Sequence, residues 1–376
     1  MIRVLTFGRY ADADFGGLER YTLELARILR KEAYFSNIVA ARGAAPDLEV
    51  VGDTVYARPL GSLGGVPVCP TMPFHAYRLN RRIHFDIVHL QFPADPGAHL
   101  ATLILPRTVK RVITWHSDIV RQKRLLMFYR PFLRHLLRTA DAIIIPTPAH
   151  RTSSEHLSEI EDHGRFHVVP YGFDLSRYER RPEAAAAIRK RHGGRLLIFA
   201  LGRHVYYKGY EYLIRALPLV PQAELVLGGR GPLTESLMGL AQDLGVRERV
   251  EFTGRIPEQD LPAYYHACDV FCLPSVEQSE AFGIVQLEAM TCGKPIVCSE
   301  LNNGVTWVNQ DGVTGLVVPP ADPVALAGAL NRLVADTELR RRLGEQGRQR
   351  ASREFTVEAM VRGTLSVYRS ALGGKA

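Results

Sequence analysis

Short apolar runs alternate with longer amphipathic segments along the chain. The runs IRVLTFG, FDIVHLQ, RVITWHSD and AIIIPTP are rich in β-branched residues and have the length of buried strands. In the segment LERYTLELARIL, apolar residues recur three and four positions apart, which predicts one buried helix face. The face consists of Leu18, Tyr21, Leu25, Ile28 and Leu29. Alternating strands and helices predict the α/β class with a doubly wound parallel sheet.

The same alternation begins again after the turn-rich segment HVVPYGFDLSRY. Strand-like runs there are RLLIFALG, AELVLGG, VEFTG, DVFCLPS, KPIVCSE and GLVVPP. A chain of 376 residues exceeds what one core usually holds. We therefore predict two α/β domains of one type, residues 1–173 and 174–356, and a last helix over 357–376. The apolar side of that helix consists of Val357, Met360, Val361, Leu365 and Tyr368.

Composition narrows the protein class. Apolar residues make up 46% of the chain and charged residues 23%, and no run approaches the roughly 18 apolar residues of a membrane span. The first residues lead directly into a strand, so we expect no export signal. Five cysteines, an odd number scattered through apolar segments, favour reduced buried thiols over disulfides. These features predict a cytoplasmic protein.

Basic residues concentrate in the first half. The chain has a net charge of +8, and residues 58–138 contain 13 Lys and Arg against 3 Asp and Glu. Two interpretations stay open, a solvated charged surface or attraction to anionic lipid head groups or a diphosphate. No nucleic-acid-binding motif accompanies the bases, so we expect no nucleic-acid partner.

Loops that follow strands hold the candidate chemistry, because parallel sheets bind ligands at the carboxyl ends of their strands. Arg203 and Lys208 lie beside glycines after one strand, a setting suited to a diphosphate, although a solvated loop is the alternative. Another glycine-rich turn, at Gly229 and Gly231, follows the next strand. A third such loop lies within SEAFGIVQLEAM, the segment of Glu280, Gly283 and Glu288. The two glutamates suit sugar hydroxyls or, alternatively, a helix start and a surface position.

Taken together and in order, several motifs resemble the retaining family 4 glycosyltransferases of the GT-B fold. They are Gly16-Gly17 after the first strand, TWHSD around His116, VVPYGFD, GRHVYYKG, GGRGP, SEAFGIVQLEAMTCGKPIV and DGVTGLVVPP. The resemblance implies two Rossmann-like domains facing across a cleft, with the acceptor on the first and a nucleotide-sugar donor on the second. It also implies that the last helix crosses back to the first domain.

By the same resemblance, the site residues have separate roles. Arg203 and Lys208 would neutralise the donor diphosphate, while Glu280 would hold donor-sugar hydroxyls and Glu288 the ribose. The remaining contacts would come from His116 beside the transferred sugar, from Gly16 and Gly17 near phosphates and acceptor, from Gly229 and Gly231 near the nucleotide, and from the amides of Phe282, Gly283 and Ile284. No metal or other cofactor is implied, because charge on the leaving diphosphate is met by the two cations.

Within the family, the motifs are most similar to bacterial enzymes of O-antigen and exopolysaccharide assembly. We expect transfer of a hexose, mannose from GDP-mannose first and a UDP-hexose second, to a polyprenyl-diphosphate-linked or saccharide acceptor. The protein would then associate peripherally with the inner face of the membrane, through Arg130, Arg134 and Arg138 among others. A nucleotide-sugar epimerase, an NAD-dependent oxidoreductase and a non-catalytic sugar- or lipid-binding protein are the rival classes.

Overall fold

The polypeptide forms two compact units. The computed structural model describes residues 1–8, 17–40, 49–63, 66–116, 123–178 and 182–374. The first unit combines Met1–Phe173 with Val357–Ala376, and the second is Asp174–Thr356. The boundary between Phe173 and Asp174 lies in the turn-rich segment that separates the two repeats of the sequence pattern.

An eight-stranded sheet forms the centre of the first unit. Its chain segment contains the strands β1 (Arg3–Phe7), β2 (Tyr34–Ala40), β3 (Glu49–Val51), β4 (Thr54–Ala57), β5 (Gly61–Leu63), β6 (Val66–Val68), β7 (Ile87–Phe92), β8 (Lys110–Trp115), β9 (Ala142–Ile145) and β10 (Phe166–Val168). The strand order is β10-β9-β8-β7-β1-β2-β4-β3, parallel except for β3, while β5 and β6 form a separate hairpin. From β1, the chain adds strands first on one side of the sheet and then, from β7 onwards, on the other. The strand order therefore reverses between β1 and β7.

Helices cover both faces of this sheet. They are α1 (Gly17–Glu32), α2 (Met72–Ile83), α3 (Pro96–Ile104), α4 (Lys123–Thr139) and α5 (Ala149–Ser153). Side chains of a strand alternate between faces, and β7 shows the result: Val88, Leu90 and Phe92 belong to one core, while Ile87 belongs to the other. The predicted face of α1 is confirmed for Tyr21, Leu25 and Leu29, which are buried against the second core.

The second unit is a six-stranded, wholly parallel sheet. Its strands are β11 (Leu196–Leu201), β12 (Ala223–Gly228), β13 (Val250–Gly254), β14 (Val270–Leu273), β15 (Ile296–Ser299) and β16 (Gly315–Val318). Its helices are α6 (Pro182–Arg191), α7 (Tyr210–Ala216), α8 (Thr234–Asp243), α9 (Leu261–Ala267), α10 (Ile284–Thr291), α11 (Gly304–Val308), α12 (Pro323–Ala335) and α13 (Thr337–Glu354). The spatial order β13-β12-β11-β14-β15-β16 is that of a Rossmann fold, and the chain order reverses between β11 and β14.

The last helix, α14 (Val357–Ala371), packs on the first unit. Met360, Val361, Leu365 and Tyr368 lie in the same core as Tyr21 of α1, which confirms the apolar side predicted for this helix. Burying four large apolar side chains stabilises the contact by about 1.5–3 kcal/mol each. The first unit therefore needs the end of the chain for one of its two cores.

Two further expectations concern thiols and membranes. All five cysteines are buried and free, and burial raises the pKa of Cys268 and Cys298 to about 12. Such thiols stay protonated and unreactive near neutral pH. Across the described residues, every helix is too short or too polar to cross a bilayer.

Candidate functional site

The reversal of chain order between β11 and β14 places two loops side by side in the second unit. Connections on the two sides of such a point leave towards opposite faces of the sheet, which opens a crevice at the carboxyl ends of the strands. The loop after β11 contains Arg203 and Lys208, and the loop after β14 contains Glu280. Three residues predicted for the site are thus brought to one edge of the sheet.

Glycines allow the backbones at this edge to approach each other. A Cβ on Gly209 would lie 2.0 Å from the carbonyl oxygen of Pro274, and one on Gly229 would lie 1.9 Å from that of Gly202. Gly229 also has a φ of 113°, which side chains rarely adopt. At Gly231, the Cβ would lie 2.3 Å from the His204 carbonyl oxygen. The backbone segment that follows β11 is therefore in direct contact with the segments that follow β12 and β14.

Lys208 and Glu280 form an ion pair across the two loops. The Lys208 Nζ donates to Glu280 Oε2, and the Ser275 hydroxyl donates to the same oxygen at 3.1 Å. Both charged side chains are 11% exposed, so little water screens the pair. Among the described residues, Glu280 Oε1 has no hydrogen-bond partner, and an ammonium has three donors. The pair therefore retains one free acceptor and free donors for a ligand.

Arg203 differs from Lys208 because it is exposed. Within the described part of the chain, its guanidinium makes no hydrogen bond or ion pair. Two more exposed arginines lie just after strands: Arg230 two residues after the end of β12, and Arg255 directly after β13. Sequence reasoning missed these two, although each directly follows a glycine, Gly229 or Gly254. The carboxyl edge of this sheet is consequently rich in positive charge.

Tyr210, the first residue of α7, was also missed. Its hydroxyl is buried and lies 2.6 Å from the position that a Cβ on Gly202 would occupy. Among the described residues, this hydroxyl lacks a hydrogen-bond partner. Burial and the nearby Glu280 carboxylate raise the pKa of Tyr210 well above 10, so it stays a neutral donor.

The start of α10 contains the other predicted residues of this unit. Gly283 precedes the helix with a φ of 68°, and Phe282 is buried edge-on against Phe355. In the described residues no side chain caps this helix, so the amide of Ile284 belongs to an N-terminus that favours an anion. Within the helix, Glu288 accepts a 2.5 Å hydrogen bond from the hydroxyl of Tyr265.

Asn303 fixes this loop from the other side. Its Nδ2 donates to the carbonyl oxygen of Glu280 at 2.8 Å, and its Oδ1 accepts from the Val305 amide at 3.0 Å. The side chain thereby joins the start of α11 to the loop of Glu280. Its position at a helix N-cap was the only available sequence signal.

In the first unit, His116 directly follows β8 and is buried. Its Nε2 lies 2.9 Å from Gln91 Oε1, and its Nδ1 lies 2.9 Å from the Tyr171 hydroxyl. The imidazole is stacked on the Tyr171 ring and meets the Tyr21 ring edge-on. A substrate hydroxyl would reach a ring nitrogen only by replacing one of these partners. Of the two glycines predicted for the first unit, Gly17 is the first residue of α1, and Gly16 lies outside the described residues.

The predicted residues thus fall into two groups, one in each unit. Except for Glu288 within α10, the residues of the second unit that are predicted to bind the donor lie at the carboxyl edge of the second sheet, and His116 lies at the carboxyl edge of the first. Across the described ranges, no cluster of three metal-ligating side chains occurs. Metal-independent chemistry stays a prediction.

Two family models match the chain in succession. Glycosyltransferase Family 4 matches residues 15–177, and Glycosyl transferases group 1 matches residues 183–350. Together they cover most of both units, without the last helix.

Named relatives and solved structures extend this match. The O-antigen chain mannosyltransferase C of Escherichia coli is 30% identical over 100% of both chains. A GDP-mannose-dependent alpha-(1-6)-phosphatidylinositol monomannoside mannosyltransferase of Mycolicibacterium smegmatis is 36% identical over 73% of this chain and 75% of its own. Anabaena HepE, solved in complex with UDP, is 22% identical with a TM-score of 0.77, covering 98% of this chain and 100% of its own. The chain belongs to family 4 of the glycosyltransferases and has the GT-B fold, as its motifs predicted.

Proposed function

We propose that the protein transfers mannose from GDP-mannose, with retention of configuration, to a saccharide or polyprenyl-diphosphate-linked acceptor in cell-surface polysaccharide assembly. The observation that carries this proposal is the Lys208–Glu280 ion pair, which is shielded from water and lies at the carboxyl edge of the second sheet, where the strand order reverses between β11 and β14. The exposed Arg203, which has no ion-pair partner among the described residues, follows the same strand as Lys208. Two of the relatives described above are mannosyltransferases, and one is named as dependent on GDP-mannose. These names support mannose as the sugar and GDP as the leaving group.

The leaving group explains the two cations. When the bond from the anomeric carbon to the diphosphate oxygen breaks, negative charge grows on the diphosphate and positive charge on the sugar ring. Arg203 and the free donors of Lys208 would bind the diphosphate. The departing oxygen would accept the proton of the acceptor hydroxyl as that hydroxyl forms the new bond on the same face.

The carboxylates would hold the rest of the donor. Glu280 Oε1 would accept from a sugar hydroxyl, while Oε2 stays fixed by Lys208 and Ser275. Glu288, oriented by Tyr265, would accept from the ribose hydroxyls. The turn at Gly229 and Gly231 would face the nucleotide, and the amides from Phe282 to Ile284 would face the sugar or phosphate.

We further propose peripheral association with an anionic membrane at its cytoplasmic face. Helix α2 exposes Phe74 and Tyr77, which are 60% and 49% accessible. The same helix exposes Arg78, Arg81 and Arg82. Aromatic and basic side chains on one surface helix suit a lipid interface. In α4, Arg130 and Arg134 both pair with Glu159, which reduces the attraction of these two side chains to anionic lipid.

Product analysis tests the transfer. The purified protein would be incubated with octyl α-mannoside and either GDP-mannose, UDP-glucose or UDP-N-acetylglucosamine, and products would be identified by mass spectrometry and anomeric NMR. We expect an α-mannoside from GDP-mannose only, abolished in Lys208→Ala and retained in Lys190→Ala, a substitution at an exposed lysine of α6. Transfer from a UDP-sugar and not from GDP-mannose would show that the proposed donor is wrong. Formation of a free sugar or an epimer, without transfer, would refute the proposed reaction.

A further inference from the structure

A chain of buried hydrogen bonds connects His116 to the last helix. Gln91 Nε2 lies 3.2 Å from His89 Nε2, and His89 Nδ1 lies 2.6 Å from the Tyr368 hydroxyl. The Thr114 hydroxyl lies 2.7 Å from the same His89 Nε2. His89 is fully buried and Gln91 is 3% exposed. The chain therefore runs from α14 through β7 to His116, shielded from water.

The amide orientation of Gln91 sets the direction of this chain. A carbonyl oxygen can only accept, so Gln91 Oε1 requires a proton on His116 Nε2. The Gln91 amide then donates to His89 Nε2, which leaves the His89 proton on Nδ1, facing Tyr368. His116 Nδ1 becomes an acceptor, at present for the Tyr171 hydroxyl.

Burying polar side chains has a desolvation cost that apolar side chains do not have. On the same face of the sheet, nearer the amino ends of the strands, the residues are apolar: Ile87 in β7 and Val112 in β8. Buried polar residues on this face, His89, Gln91 and Thr114, lie further towards the carboxyl ends, the edge where ligands bind. An apolar residue at position 89 or 91 would fill the core without the desolvation of a polar group.

We propose that Gln91, supported by His89 and Tyr368, is a positioning residue for His116. It holds the imidazole with its proton on Nε2 and keeps Nδ1 as the acceptor for a substrate hydroxyl, which takes the place of the Tyr171 hydroxyl. This inference rests on the proposed function for its substrate, but the tautomer itself does not depend on it. Fixing a ring by a second layer of hydrogen bonds preserves the geometry that a transition state requires.

Among the described residues, the side chains of Gln91, Tyr21 and Tyr171 contact His116, and all three are neutral donors or acceptors. Tyr21 of α1 meets the ring at 4.8 Å between centroids, and Tyr171 stacks on it at 5.5 Å. Burial raises the pKa of Tyr21 to about 12, raises that of Tyr171 further, and lowers that of His89 to about 3. The described neighbours therefore do not change charge between pH 5 and 8.

Nitrogen-15 NMR of the deuterated protein, labelled at histidine, tests the tautomer without any substrate. The signals of His116 are assigned by their loss in His116→Asn. We expect a protonated Nε2 and an unprotonated Nδ1 in the wild type, and a mixture of tautomers in Gln91→Leu. A protonated Nδ1 in the wild type would overturn the proposal, as would an unchanged tautomer in Gln91→Leu.

Kinetics with GDP-mannose and octyl α-mannoside separates positioning from folding. We expect Gln91→Leu to lower kcat about tenfold or more, and Tyr368→Phe, which removes one hydroxyl, to lower it severalfold. Calorimetric affinity for GDP should change less than twofold, because Lys208 and Glu280 are untouched. His99→Asn removes another buried histidine of the first unit, which packs against Phe92 and Tyr129, and should leave kcat unchanged.

Each outcome is informative. Equal losses of kcat in Gln91→Leu, Tyr368→Phe and His99→Asn would mean a general packing effect and overturn the proposal. If Gln91→Leu does not fold, Tyr368→Phe and the wild-type tautomer decide. If the wild type binds no nucleotide, the proposed function fails, while the tautomer still tests the positioning chain.

Discussion

The ion pair of Lys208 and Glu280 can be separated into structural and functional parts. Removing one member of a buried pair leaves an uncompensated charge, which typically costs about 3–5 kcal/mol, whereas removing both costs much less. We therefore expect Lys208→Met to destabilise the second unit by about 3 kcal/mol, and Lys208→Met with Glu280→Gln to recover most of this loss. Urea denaturation in a Trp115→Phe background measures it, because Trp307 is then the only tryptophan.

Binding provides the second half of that test. Both variants should lose donor affinity, since both lack the ammonium. Equal stability of the single and double variants would show that the two side chains do not interact as a pair.

Gly229 offers a test of backbone packing at the same edge. A methyl group there would meet the Gly202 carbonyl oxygen at 1.9 Å with φ at 113°, so the β11 and β12 exits must separate. We expect Gly229→Ala to weaken GDP binding at least tenfold. Gly239→Ala is the matched control, because Gly239 lies in α8 and a Cβ there would meet no neighbouring atom within 4 Å. We expect this substitution to stabilise the helix by about 0.5–1 kcal/mol. Unchanged GDP affinity in Gly229→Ala would contradict the role of this turn.

The buried histidines of the first unit predict a pH dependence of stability. Burial lowers the pKa of His89 and of His99 to about 3, against about 6.5 in the unfolded chain. Between these values only the unfolded chain binds the proton, so stability is complete above pH 6.5 and falls as the pH falls towards 3. The loss is about 1.4 kcal/mol per pH unit for each histidine.

Denaturation in a Trp307→Phe background, in which Trp115 reports on the first unit, measures this loss between pH 7 and 5.5. We expect it to be smaller in His99→Asn by about 1 kcal/mol. An identical loss in wild type and variant would show that His99 binds a proton in the folded state.

At the scale of elements, we expect the stability of the first unit to depend most strongly on the packing of α14. Met360 is fully buried, and its sulfur accepts from the Gly172 amide at 3.3 Å. We expect Met360→Ala to destabilise the first unit by about 2–5 kcal/mol, measured by Trp115 fluorescence. Arg362→Ala, at an exposed position of the same helix, should change stability by less than about 0.5 kcal/mol. A Trp115 transition that does not move in Met360→Ala would show that α14 adds nothing to this core.

The elements were largely predictable because each contains its own periodicity. The apolar stripes of α1 and α14 and the strand runs of both units are visible in the sequence, since burial of one face selects them. The hydrogen-bonded polar side chains of β7 were missed, because FDIVHLQ was interpreted only as an apolar run. Its period of two places His89 and Gln91 on one face, a signal that was available but whose meaning required the neighbouring strand and α14.

At the scale of the whole molecule, both units reverse their chain order between the first strand and a later one, and both place polar residues at that point. Both units contain motifs of the family resemblance, which therefore extends over nearly the whole chain. Pairings such as Lys208 with Glu280, or Asn303 with the Glu280 carbonyl, depend on contacts between distant segments. Spacing along one sequence does not define them.

The central claim is that the carboxyl edge of the second sheet binds the nucleotide-sugar donor, and calorimetry tests it most directly. GDP-mannose, GDP, UDP-glucose, UDP-N-acetylglucosamine, UDP and NAD would be titrated into the wild type, and the best ligand into Lys208→Ala, Glu288→Ala and Lys190→Ala. Loss of a charge-assisted hydrogen bond is worth about 1.5–3 kcal/mol, so we predict that GDP-mannose binds best and about 10- to 100-fold more weakly to the first two variants. Binding of no nucleotide, or equal binding to all three variants, would contradict the account.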